Sequence, residues 1–299
     1  MKFNGDVVLR DEEFGQMQMH SVMNLLTIIN GDLQVFEAVI EDDPILESAI
    51  RATFDLAKAL RAGEHLKFTP DALLRLKSQI QHTLNHISET HPELFETDEE
   101  KAVLANFDSI FSIFGTRVEE IRLRMLYPDR WESYPVKTFE QDFKDFFTAV
   151  EKNSKGRYRI IYNIAEQGES DYFVNMVVEN KKSDKIRIPI LLKDSIRDLL
   201  GNARKYTPPG GSIHAGLVQD DKHLRFVVSD TGVGIPKDEL EQVVKFGYRA
   251  TNVRHMKTMG GGYGLTKAHW VATHFGGELR ISSEMGRGTR VELDVPLPE

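Results

Sequence analysis

Apolar residues Val22, Leu26, Ile29, Leu33, Phe36 and Ile40 recur at alternating spacings of four and three. Such spacing draws one narrow stripe along a helix, the seam by which helices pack lengthwise. The stretch "MHSVMNLLTIINGDLQVFE" (19–37) therefore predicts a long, packed helix. Helical periods also run over 44–66, where Pro44 suits a first turn, and over 71–89. A fourth covers 98–127, with acidic residues at its start and arginines near its end, as the helix dipole favours. No strand signal interrupts this half, which reads as an all-α bundle.

From about residue 135 the pattern changes. Residues 139–153 form an amphipathic helical pattern, whereas 157–165 and 171–180 carry the β-branched and aromatic residues of strands. A helix is predicted over 189–207, ended by "PPGG", followed by strands over 212–219 and 223–230. After a glycine-rich loop come a helix over 264–277 and closing strands over 278–284 and 289–297. Strands mixed with helices and joined partly by hairpins predict a mixed sheet with helices on one face. The fold class is thus α+β: a helical bundle over 1–130, with an extra helical segment over about 64–130, then an α/β sandwich over 131–299.

Composition narrows the function. The 299 residues suffice for two cores. With no cysteine, disulfides, thiolate metal sites and thiol nucleophiles are excluded. A net charge of -8 without a basic stripe argues against nucleic acid as the main partner. No apolar run approaches the roughly 20 residues that cross a bilayer, and the start is not a signal peptide, so a cytoplasmic protein without membrane insertion is expected.

Four short stretches carry candidate chemistry. In "DLLGNARKYTP" (198–208), Asp198, Asn202 and Lys205 share one helix face. A carboxylate and an amide oxygen can hold Mg²⁺ directly or through water, and a lysine beside them can meet phosphate. In "SDTGVGIP" (229–236) a strand ends in an aspartate and two glycines permit a turn that a ligand can approach. "GGGYGL" (260–265) opens a helix, where backbone N–H groups favour phosphate. It is neither a Walker loop nor a Rossmann turn, because no Gly-Lys-Ser/Thr follows and no strand leads into it. "GRGTRVELDVP" (286–296) is a hairpin turn with Thr289 at the start of the last strand. Alone, each is an ordinary helix face or turn.

In this order and spacing, residues 135–299 resemble the Bergerat-type (GHKL) ATP-binding domain of histidine kinases, Hsp90-type chaperones, MutL and type II topoisomerases. The resemblance implies that Asn202 holds Mg²⁺, Lys205 meets phosphate and Tyr206 lies near adenine. Asp230 would accept from the exocyclic amine of adenine, selecting ATP over GTP, with Gly232 and Gly234 shaping the pocket beside it. Gly260, Gly262 and Gly264, followed by Leu265, would wrap the phosphates, and Thr289 would lie on the pocket floor. Residues 237–259 correspond to a mobile ATP lid, whose "KFGYRAT" is a variant phenylalanine box and whose Arg249 is brought toward the γ-phosphate.

Within that resemblance the helical half is similar to the dimeric hairpin of two-component sensor histidine kinases. His20, with Asn24 four residues on, then an apolar run and Gly31, matches its phosphoacceptor box. His20, Asn24, Thr27 and Gly31 share a face away from the Val22–Ile40 seam. The implied activity is autophosphorylation of His20 from ATP, then transfer to an aspartate of a response-regulator receiver domain. A homodimer and a separate sensory protein are the further partners implied. His65 and His91 are weaker alternatives as acceptor, and His82 and His86 are half of a metal site or a solvated face.

One position departs from the family. Where an acidic residue usually follows the histidine and takes its proton, this chain has Ser21, a poor base at neutral pH. Asn24 matches the position that orients water for dephosphorylating the receiver. Two rivals therefore stand beside the kinase: a kinase-weak phosphatase or phosphotransfer adaptor, and an ATPase clamp in which Asp198 activates water.

Overall fold

A computed structural model describes residues 1–62, 69–95, 120, 121, 123, 124, 126–152, 154, 156–256 and 261–298. Of Asp11, Ser21, Asn24, Arg61, Pro70 and Phe95 only the backbone is described. The chain divides into two compact units, Leu9–Tyr127 and Met1–Val8 together with Pro128–Glu299.

The helical unit contains α1 (Asp11–Glu37), α2 (Pro44–Arg61) and α3 (Pro70–Thr90). The seam residues Val22, Leu26, Ile29, Leu33, Phe36 and Ile40 are all buried, packed with Leu46, Ala49, Leu60, Leu73, Ile80 and Ile87. Ile40 reaches that core from beyond the end of α1. Asp43 caps α2, its Oδ1 accepting from the backbone N–H of Ile45 and Leu46, and Pro44 opens the helix. Thr69 caps α3 in the same manner. Most of the helix expected over 98–127 lies outside the described residues, although 120, 121, 123, 124 and 126 are helical.

The second unit is a mixed sheet under helices. Its strands are β1 (Lys2–Phe3), β3 (Ile160–Ile161), β4 (Tyr172–Asn180), β6 (Ser212–Gln219), β7 (His223–Asp230), β8 (Glu278–Glu284) and β9 (Gly288–Pro296). They lie in the order β1-β8-β9-β7-β6-β4-β3. The β3–β4 and β4–β6 pairs are parallel and the others antiparallel. A separate ribbon pairs β2 (Trp131–Pro135) with β5 (Lys185–Pro189). Alternate residues of the central strands, among them Ile213, Leu217, Leu224, Phe226, Leu279, Ile281 and Leu293, are buried. Their core is shared with α4 (Val136–Lys152), α5 (Ile190–Tyr206) and α6 (Gly264–His274). One face of the sheet is thus apolar and carries the helices, as the two-residue period requires. Phe139, Phe143 and Phe147 of α4, one turn apart, are all buried against it.

Three expectations change. The first eight residues join the second unit instead of the bundle, because β1 adds to the β8 edge; Lys2 pairs with Glu278, and the Phe3 and His269 rings lie 5.5 Å apart. The strand expected over 157–165 shrinks to β3, since the Asn163 side chain accepts from the Ala165 N–H and starts a 3-10 turn over Ile164–Glu166. The β2–β5 ribbon falls on 131–135, where no strand was expected, and on 185–189, just ahead of the predicted helix.

Candidate functional site

The fold gathers the four stretches of the second unit at one end of the sheet. α5 buries Leu192, Ile196, Leu199, Leu200 and Ala203 and leaves Asp198, Asn202, Lys205 and Tyr206 half-buried along another face. α6 starts against that face: a Cβ built on Gly264 would meet Asn202 Nδ2 at 2.9 Å and Asp198 Cβ at 3.5 Å. A side chain at this position would displace the Asn202 amide. Leu265 follows, half-buried against the core. Among the described residues the Asn202 amide meets no hydrogen-bond partner of its own. A half-buried amide left in that state suits a ligand, and its oxygen fits a Mg²⁺ or its water.

Asp230 ends β7 and organises the opposite wall. Its Oδ1 accepts from the N–H of Gly232 at 2.8 Å and of Thr289 at 3.1 Å. Burial raises its pKa, and those two N–H groups only partly offset this. Oδ2 has no partner among the described residues, so one acceptor is aimed at whatever enters. Gly288, at φ 109°, lies against the Asp230 carbonyl, a position that a side chain cannot share. Gly232 lies against the Tyr206 carbonyl, and Val233 N donates to that same carbonyl at 3.1 Å. The glycine turn, the end of α5 and the last hairpin are therefore locked together. Gly234, at φ 72°, packs on the Glu284 carbonyl. Thr289 Oγ1 lies 2.8 Å from Ser283 Oγ, which also accepts from Ile235 N.

The cationic side is equally defined. The Lys205 ammonium lies 4.9 Å from the centre of the Tyr206 ring. Burial, with the nearby Arg249 guanidinium, pulls its pKa down to about 8. A lysine whose charge burial and a second cation disfavour would be stabilised by a bound anion such as phosphate. Burial also raises the Tyr206 pKa, while Arg249 opposes the rise. Arg249 donates to the carbonyls of Val253 and Met256. Its loop is fastened by the buried Glu239, which accepts from Tyr248 Oη and from the N–H and hydroxyl of Thr251. Gly262, at φ 77°, backs onto Gly247 and Tyr248, while the Tyr263 and Phe246 rings lie 4.7 Å apart. Gly260 lies outside the described residues.

Sequence reasoning missed Glu239, Ser283 and a buried pair below Asp198, formed by Lys267 of α6 and Asp194 of α5. The available signal was charge on a buried helix face: Lys267 lies one turn from Val271, and Asp194 one turn from Asp198.

In the helical unit His20 is half-buried on α1, and Thr27 and Gly31 are exposed. Asn24 and Ser21 lie on α1, but their side chains are outside the described residues, as is all of His65. His86 Nε2 bonds Asp43 Oδ2 at 2.9 Å, and no group of three metal-binding side chains occurs among the described residues.

An asparagine helix, a strand-end aspartate and glycine turns at one end of a mixed sheet define a GHKL-class nucleotide-binding domain. Comparison with known proteins agrees: residues 188–299 match the Histidine kinase-, DNA gyrase B-, and HSP90-like ATPase family. The chain is 42% identical over 96 residues to the signal transduction histidine-protein kinase/phosphatase MprB of Mycolicibacterium vanbaalenii, covering 32% of this chain and 19% of that protein. It is 36% identical over 106 residues to the histidine protein kinase DivJ of Caulobacter vibrioides, covering 36% of this chain and 18% of that protein. It thus spans about a fifth of the length of these relatives. A solved mycobacterial sensor histidine kinase MprB structure is 24% identical, with a TM-score of 0.41, covering 55% of this chain and 97% of that one. Residues 188–299 thus match this ATPase family, and the relatives they are similar to are histidine kinases.

Proposed function

We propose that this chain is an ATP-dependent protein-histidine kinase of a two-component pathway, acting as a homodimer and signalling to a receiver domain. The observation that carries the reading is the half-buried Asp230 carboxylate, one oxygen unpartnered among the described residues, beside a glycine turn that packs on Tyr206, whose ring Lys205 meets. An adenine amine suits the carboxylate and a phosphate chain the lysine. Asn202 would hold Mg²⁺, which when bound offsets phosphate charge. Tyr206, Gly232, Gly234, Gly262, Gly264, Leu265 and Thr289 shape the enclosure, and His20 is the acceptor. Attack by an imidazole nitrogen on the γ-phosphorus, with departure of ADP, gives phosphohistidine, and the phosphoryl group then passes to an aspartate of the partner.

The test is incubation with γ-labelled ATP and Mg²⁺, followed by acid and alkali treatment, beside His20→Ala. Alkali-stable, acid-labile label that disappears in the variant is expected. Label that persists in it would move the acceptor elsewhere.

Ser21 favours a second reading, a receiver phosphatase or adaptor in which Asn24 orients water and ATP acts as a conformational ligand. The matched part of MprB belongs to a protein named both kinase and phosphatase. ATP binding without label, together with loss of receiver dephosphorylation in Asn24→Ala, would select it.

A further inference from the structure

Asp194 and Asp198 lie on the α5 face that carries Asn202 and Lys205, and of the two Asp198 is the more exposed, so it is the one better placed to take a proton from water beside a bound γ-phosphate. Such a step would waste the nucleotide. Water oxygen bonds to the γ-phosphorus while the bridging P–O bond breaks; the water proton passes to the carboxylate and then to solvent, leaving ADP and inorganic phosphate. The surroundings of Asp198 oppose it. Lys267, in the first turn of α6, donates to Asp198 Oδ2 at 3.1 Å and more tightly to Asp194. The Lys267 and Asp194 side chains are only 5% and 8% exposed, whereas Asp198 is 35% exposed. An ammonium placed so deeply is costly unless it is paired, and here the pairing reaches outward from the buried Asp194 to the more exposed Asp198.

We propose that Lys267 is a positioning residue that holds Asp198 toward the base of α6, occupies the oxygen that would accept the water proton, and so suppresses hydrolysis. The γ-phosphate is then kept for transfer to a protein acceptor. Asp194 fixes the ammonium from behind, so that Lys267 cannot swing out to the phosphates. The inference rests on the ATP site proposed above.

Lys267→Met alone takes the ammonium away from two carboxylates, one of them deeply buried, and risks misfolding, so the informative variant is Asp194→Asn with Lys267→Met. Mg·ATP affinity is measured first by calorimetry on the unaltered chain and on the variant, with circular dichroism to check folding, and steady-state phosphate release follows. The expected result is equal affinity and KM with kcat for hydrolysis raised at least tenfold, and a return to the unaltered rate when Asp198→Asn is added. A folded, ATP-binding variant that hydrolyses no faster overturns the proposal, as does a rise that survives Asp198→Asn. Failure of the unaltered chain to bind Mg·ATP overturns the ATP site itself, and the role of Lys267 with it.

Discussion

Asp230 serves the fold with one carboxylate oxygen and leaves the other for the ligand proposed above. Oδ1 ties the glycine turn to the last hairpin through two N–H groups, and Oδ2 remains for a donor. Asp230→Asn keeps an oxygen for the two N–H groups and turns an NH₂ toward the ligand, setting donor against donor. Adenine nucleotide affinity should fall at least tenfold in calorimetry with the fold retained, since an unmatched buried polar pair costs about 1–3 kcal/mol. Lys205 gives a pH signature. With its pKa near 8, it is a cation at neutral pH and neutral well above that. A bound anion favours the charged form, so above pH 8 binding must take up a proton. ATP affinity should be level below about pH 7 and decline as pH rises through 8 and 9, up to tenfold per unit. Lys205→Met should bind more weakly and flatten that decline; a profile unchanged by the substitution would remove Lys205 from the phosphate site.

At the scale of elements, legibility followed length and periodicity. The seam from Val22 to Ile40 spans several turns, and every member is buried. β6 and β7 occupy 212–219 and 223–230, the bounds expected for them. Elements of two to five residues carry no period, which hid β1, β2 and β5. The glycines were legible as turns, but what they touch was not, because contact across 50 or more residues leaves no local trace. Gly288 is the sharpest case: its φ of 109° and its contact with the Asp230 carbonyl both exclude a side chain. Gly288→Ala should cost about 2 kcal/mol or more in denaturant unfolding, and should weaken nucleotide binding as well, because the same shift moves Thr289 N–H from Asp230. Gly286→Ala is the control. It also has positive φ, at 72°, but no atom lies within 4 Å of its Cβ position, so it should cost less and leave the affinity unchanged.

For the whole molecule the two units have separate cores, and the chain enters the helical unit after Val8 and leaves it before Pro128. A ligand that binds one folded unit stabilises that unit by RT ln(1 + [L]/Kd), about 2.7 kcal/mol at a hundredfold excess over Kd. Mg·ATP should therefore strengthen amide-exchange protection in β6, β7, β9 and α5 and leave the slowest amides of α1 to α3 unchanged. Phe3→Ser offers the complementary lever. Phe3 packs on the sheet core and beside the buried ring of His269, whose pKa burial lowers. Losing that contact should speed exchange in β8 and α6 while α1 keeps its protection, although residue 3 is only eight positions from the start of α1. If Phe3→Ser instead loosens α1 as much as β8, then β1 stabilises the helical unit too, and the two units unfold as one.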